Sequence, residues 1–571
     1  MPVVLTRIEM GRMQPLPGTA LGILFCVLSG AWSLLSAAPV WRHDETAALF
    51  SGREIPRIVI EIPEPEMEIL RGAGNRFSRV PRTNVLVTVR DGDIAYTNVA
   101  LHLKGSGTFQ PVEKKPDLTL NFHRRDPDQR FRGLQKISLN NSAQDPTYLC
   151  EILGREMFTA AGIPVPRVSH ATVELNGRDL GLYVLVEGWN KQFLQRHFAD
   201  AGGNLYERGT NGPEITRQLD VVSGDDREDH RALQALAAAA QEPDLRKRWA
   251  ALQRTLDVDR FITGMAVEIL LNHFDGYCMA VSNYRIFHDR TQDRIVFMPH
   301  GLDYLFHLEP RMPDLPVMMP MRGLVAAAIM DTDQGRTQYL DRVEALHAKV
   351  FNAAAMTNRV LEVSARLRPL LAQNVVALSN HEQRVELLLA QIPKRHEVVR
   401  QQLARLRKPF APGATEKVAP ELWASKNESG NSWAHKTMTN GQTFLNIRGN
   451  RGTGSGPTGS WRMPYLLERG RYRFEGMALA TNTVKGSVLP PGEIGLRTSE
   501  SDVLAGVPGT ETWTNLTHEF TVSSTRLVDL ICEYRGYEGK TFVACFDANS
   551  LTLTRLDRVP HPPSDVRRGK R

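Results

Sequence analysis

The sequence predicts an α+β chain of two folded units. Three observations carry that expectation: short strand-like runs up to about residue 187, helical periodicity from there to residue 406, and a return to strands after Pro409, Pro412 and Gly413. At 571 residues the chain exceeds what one hydrophobic core serves. Its 42% hydrophobic and 23% charged residues fit a globular protein rather than a disordered or fibrous one. The net charge of +7 is mild and the arginines are scattered, with no basic stripe to track a phosphate backbone, which argues against nucleic acid as a partner.

At the N-terminus, Arg7 and Arg12 precede an apolar run from Ala20 to Leu35 that ends in Ser36, Ala37 and Ala38. This is the pattern of a secretory signal peptide over 1–38, so a secreted, periplasmic or cell-surface location is expected. The run is shorter than the ~20 residues a spanning helix needs, and no integral membrane segment is expected beyond it. After cleavage four cysteines remain, Cys150, Cys278, Cys532 and Cys545, with no CxxC pair to suggest structural zinc. An exported chain could join Cys532 to Cys545 across neighbouring strands, the alternative being two buried thiols. The basic residues Arg567, Arg568, Lys570 and Arg571 read as a solvated tail within 558–571.

The first strands are marked by alternating apolar residues: Ile58 to Ile62, Val85 to Val89, Val99 to Leu103, Leu118 to Phe122 and Lys136 to Asn141, with Asp91-Gly92 as a turn signal. A helix should begin near Asp145-Pro146, with Asp145 as its cap, and stop at Gly162 before Pro164 and Pro166. Strands Val168 to Leu175 and Leu182 to Val186 flank the turn signal Asn176-Gly177, in a loop longer than the minimal hairpin. Helices follow over 191–198, 229–241, 243–256, 258–272 and 338–406, whose periodicity suits a supporting bundle. The C-terminal strands, among them Arg471 to Phe474, Leu516 to Val522 and Val528 to Tyr534, suggest an antiparallel β-sandwich of jelly-roll type over 415–557.

The sharpest motif is Asn272-His273-Phe274-Asp275-Gly276-Tyr277, followed by 283–289 and by Phe297-Met298-Pro299-His300-Gly301-Leu302-Asp303. Three further pieces stand in order before it: Lys104-Gly105-Ser106-Gly107-Thr108, Ser138-Leu139-Asn140-Asn141 ahead of the helix, and Gly181-Leu182-Tyr183-Val184-Leu185-Val186-Glu187. Together these resemble the CotH kinase family. The resemblance implies an atypical protein-kinase-like two-lobed domain over 39–410, its core at about 57–310 and a helical extension over 311–410. It further implies an exported enzyme that uses ATP with Mg²⁺ or Mn²⁺ to phosphorylate Ser/Thr hydroxyls of a surface or extracellular protein.

Such chemistry needs phosphate cradling, a divalent cation and a group that orients the attacking hydroxyl. Gly105 and Ser106 can bring backbone N–H groups to phosphate oxygens, with Lys104 adding charge. Lys115 stands where kinases place the lysine that meets the phosphates, and Lys114 is equally plausible by position. Its glutamate partner is Glu151 by resemblance or Glu156 by helical spacing. Glu187 ends the strand that would form the hinge beside the nucleotide. Asp275 is the candidate catalytic carboxylate, Asp303 the main metal ligand and Asn283 a further oxygen donor. The family's asparagine five residues after the catalytic aspartate is here Ala280, which cannot ligate a metal, so a pseudokinase or scaffold is the competing reading. His273 and His300 have no zinc-site spacing and are expected to hold loops. The sandwich more loosely resembles carbohydrate-binding modules, which makes a polysaccharide a possible partner, and Trp461 and Trp513 are expected in its core.

Overall fold

In the computed structural model, residues 46–557 are described apart from 53, 74–82, 106, 208–213, 218, 307–314, 409, 411–412, 428–431, 450–457, 483–492, 509–511 and 537–541. The expected signal peptide, the basic tail and Ser106 therefore lie outside the described residues. No described helix is long and apolar enough to cross a membrane.

Seven strands form the first unit: β1 (Arg57–Glu61), β2 (Val85–Asp91), β3 (Ile94–Lys104), β4 (Asp117–Asn121), β5 (Lys136–Asn140), β6 (Val168–Leu175) and β7 (Arg178–Glu187). They close into a barrel in the order β1-β2-β3-β4-β5-β7-β6, sealed by the parallel pairing of β1 with β6. Closure removes both sheet edges, a long-range event that no local pattern announces. Alternation along the strands sends Leu101, Leu103, Leu118, Leu120, Ile137 and Leu139 into the barrel core. Asn176 (φ 47°) and Gly177 (φ 76°) alone join β6 to β7, so the hairpin is the minimal one after all. The Asn176 amide pins β1 as well, accepting from Ile62 N at 2.7 Å and donating to Ile62 O at 2.8 Å.

The helix Cys150–Ala160 starts four residues later than Pro146 suggested. Asp145 still serves its first turn by accepting from Leu149 N (2.9 Å) and Cys150 N (2.8 Å). Helices Val258–Leu270, Asp333–Lys349, Ala353–Leu371 and Val375–Arg407 build the bundle behind a second small sheet that carries strands Tyr284–Asp289 and Arg294–Pro299. The long helical stretch is broken where Asn352 and Asn374 cap new helices by accepting from Ala355 N and Ala377 N. Helices Glu64–Arg71 and Leu324–Met330 were not foreseen.

Residues 415–557 form two antiparallel sheets around a core that includes Trp423, Trp461, Tyr472 and Phe474. Of the two alternatives for the cysteines the free thiols hold: Cys532 and Cys545 are unpaired, on strands of different sheets. One expectation fails: Trp513 is 42% exposed, resting against Phe444 at a ring distance of 5.9 Å.

Candidate functional site

A cleft of about 650 Å³ lies between the outer face of β3, β4 and β5 and the segment 275–303. The same alternation that buries the barrel leucines turns Lys104, Asp117, Thr119, Lys136, Ser138 and Asn140 into this cleft. One wall is thus written by strand period two. The other wall is written by loops, and each loop is held at a named point.

Asp275 follows helix Val258–Leu270 and precedes the one-turn helix Tyr277–Ala280. Glu268, fully buried, accepts from Tyr277 N (3.2 Å) and Cys278 N (2.9 Å) and so fixes the residues just after Asp275. Burial pushes the Glu268 carboxyl up to about 7, against the pull of those two N–H donors. A Cβ on Gly276 would stand 2.6 Å from Glu268 Oε2, so only glycine fits between them. Beyond the turn, Val281 and Asn283 both take left-handed backbone (φ 53° and 48°), a strained choice for a β-branched valine. That reversal returns the Asn283 amide to Asp275, with Nδ2 donating to Oδ2 at 2.6 Å. Asn283 O in turn accepts from His300 N at 2.8 Å.

Asp303 lines the same cleft. Burial, then the nearby Glu151, Asp145 and Asp117, push its carboxyl up to about 7. A carboxylate surrounded chiefly by other carboxylates suits a divalent cation, and Mg²⁺ is commonly held by one or two carboxylates plus substrate phosphates rather than by a full protein cage. Asp303 could supply one such oxygen, and Asn283 lines the same cleft. Among the described residues no group of three or more His, Cys, Asp or Glu side chains is placed to hold a metal by itself.

The glycine loop is braced by Asp117, which accepts from Thr108 Oγ1 (2.6 Å) and Asn141 N (2.6 Å). Gly105 has φ +92°, and a Cβ there would lie 2.7 Å from Asp117 Oδ2. Sequence reasoning passed over Asp117; a charge at the start of an apolar strand, directly after Pro116, was the available signal.

Three residues expected at the nucleotide site, Lys115, Glu151 and Glu187, are not among those that line the cleft. Lys115 donates to Leu182 O (2.7 Å) and Tyr148 Oη (3.0 Å) and lies over the rings of Tyr148 and Tyr183, outside the cleft. Burial pulls its pKa down to about 8. The lysines that do line the cleft are Lys104 and Lys136, with Arg285 beyond them on Glu207 at 2.6 Å. Glu151 pairs with Arg155 (2.6 Å), not with a lysine, and its other oxygen accepts from Leu302 N at 3.1 Å, next to Asp303. Glu156 binds Arg359. Glu187 is clamped by Arg167 (3.1 Å) and Arg196 (2.5 Å), away from the cleft. His300 accepts from Trp189 Nε1 at 3.1 Å, and burial, then Arg285 and Lys104, hold its pKa well below the usual imidazole value. His273 is buried completely. Ala280 ends the one-turn helix as a half-exposed residue with no donor to offer.

The family model described as CotH kinase protein matches residues 101–404. The inner spore coat protein H of Bacillus subtilis is 20% identical over 273 residues, 45% of this chain and 73% of that protein. The invasin CotH2 of Rhizopus delemar is 21% identical over 368 residues, 58% of this chain and 60% of that protein. Among solved structures, a carbohydrate-binding module in complex with β-1,4-galactotriose matches 23% of this chain and 88% of its own at 14% identity and a TM-score of 0.17. A second, described as CBM4, matches 26% of this chain and 96% of its own at 18% identity and a TM-score of 0.18.

Proposed function

The chain belongs to the CotH kinase protein family, and on that premise we propose that its cleft transfers the γ-phosphoryl group of ATP to a Ser/Thr hydroxyl of a surface or extracellular protein. The observation that supports this most is the pairing of Asp275 with Asn283 on one wall, facing Lys104 and Lys136 on the other, with Asp303 in the same cleft. Asp275, its carboxylate oriented by the Asn283 amide, takes or directs the hydroxyl proton of the acceptor. Lys104, Lys136 and the backbone at Gly105 neutralise and cradle the phosphates. Asp303 and Asn283 would hold Mg²⁺ or Mn²⁺, which supplies charge neutralisation at the phosphoryl group.

A second reading, nucleotide binding without turnover, draws on Ala280 and on the commitment of Glu151 to Arg155. Radiolabelled phosphate transfer by the full chain, beside Asp275→Asn and Asp303→Asn, decides between them. Incorporation lost in both variants supports phosphotransfer. Thermal stabilisation by Mg²⁺-ATP with no incorporation supports the second reading.

A further inference from the structure

Behind the helix Cys150–Ala160, on the side away from the cleft, lies a separate pocket of about 370 Å³. It is walled by that helix, by the start of β6, by the helix Ala353–Leu371 and by residues 50–52. Four arginines line it, Arg155, Arg167, Arg359 and Arg366, against the single lining carboxylate of Glu156.

The four are not equivalent. Arg155 is consumed by Glu151 and Pro166 O, Arg167 by Glu187, and Arg359 by Glu156 and Glu362. Arg366 forms no ion pair among the described residues, Glu362 and Glu156 acting on it only at longer range. Its Nη1 donates to Gly52 O at 2.6 Å, and its Nε is buried with no partner. Arg359, seven residues away on the same helix face, adds like charge, and burial and that charge push the Arg366 pKa down. A guanidinium carries five donors in a planar fork suited to the oxygens of a phosphate, and leaving donors unmet in a partly desolvated pocket is costly. The rest of the lining, Phe50, Ile152, Val165 and Pro166, is apolar. A pocket of this size holds more than an inorganic anion.

We propose that this pocket binds a phosphate monoester, its phosphoryl oxygens on the Arg366 fork and its organic part against the apolar wall. The ester can come from a free small molecule or from a phosphorylated side chain. The site is independent of the reaction assigned to the cleft.

Calorimetric titration of phenyl phosphate into the full chain tests it, with a phosphoserine peptide in a parallel arm to identify the source. Arg366→Gln, which keeps a donor for Gly52 O, is expected to weaken binding at least 10-fold. Arg366→Lys, which restores charge without the fork, should recover part of it, and Lys136→Met in the cleft should leave it unchanged. Tighter binding of the peptide than of phenyl phosphate names a side chain as the source, and the reverse names a free ester. Absence of binding in both arms, equal affinity in Arg366→Gln, or loss in Lys136→Met overturns the proposal.

Discussion

The back of the helix Cys150–Ala160 and the cleft in front of it treat buried carboxylates in opposite ways. Behind and around the helix, Glu151 and Glu187 are each locked to arginines, Arg155 for one and Arg167 with Arg196 for the other. At the cleft, Asp303 has no ion-pair partner among the described residues, and burial with Glu151, Asp145 and Asp117 nearby pushes its carboxyl up, while beneath the cleft wall Glu268 is met by two backbone N–H groups and no arginine. An acid that arrives with its own arginine holds the fold and has nothing left to offer a ligand. An acid kept from such a partner stays chemically available, at a cost in stability that burial sets.

The sharpest way to break this contrast is to exchange the charges. Asp275→Asn should lower phosphate incorporation by about 10²–10⁴-fold while leaving the thermal midpoint in place. Asp303→Asn should abolish incorporation as well yet raise stability near neutral pH. Its folded pKa of about 7 stands above the ordinary 3.8, so the stability that Asp303 contributes in its protonated form is fully present below pH 3.8 and is lost as pH rises through 7. Arg155→Met should do the reverse, costing about 3–5 kcal/mol in a denaturant titration because it strands Glu151 without its cation. A loss of activity with full stability in Arg155→Met would erase the distinction.

Smaller effects sharpen it. Gly105→Ala places a side chain at φ +92° against Asp117 and should cost about 1–3 kcal/mol, read as a drop in the unfolding midpoint. Glu268→Gln should flatten the pH dependence of stability between about 4.5 and 7, since the raised pKa of Glu268 makes the wild type lose stability as pH climbs through that window. Trp513→Ala, at an exposed position, should shift stability by about 0.5 kcal/mol or less, against about 3–5 kcal/mol for Trp461→Ala in the core.

Much of the barrel was legible because period two is local: each strand's apolar set could be read without knowing its neighbours. The motif segments carry Asp275, Asn283 and Asp303 as a group, and all three line one cleft. The lysine was not legible. Lys115 and Lys136 sit in similar strand-edge contexts, and only the fold decides that one points at Tyr148 while the other faces the cleft. Glu151 misled for a related reason: its partner Arg155 is one helical turn along in the sequence, but burial of the pair is a tertiary fact. Parallel closure of β1 onto β6 joins segments more than a hundred residues apart, and no periodicity reports it.

The sandwich residue Leu527 belongs to the same buried apolar cluster as the helices behind the cleft, with Leu466 packed against it. Arg526 reaches Asp333 at 3.5 Å, and the Arg405 guanidinium lies 5.3 Å from the centre of the Tyr465 ring. The sandwich is therefore a handle rather than a pendant on a tether. A loose tether lets an anchored catalyst sample many orientations, whereas a handle gripped at one end dictates the bearing of the other. Under the proposed phosphotransfer, a sandwich docked on a surface would therefore hold the mouth of the cleft at one bearing, and acceptors out of its reach would be excluded by geometry before any chemistry.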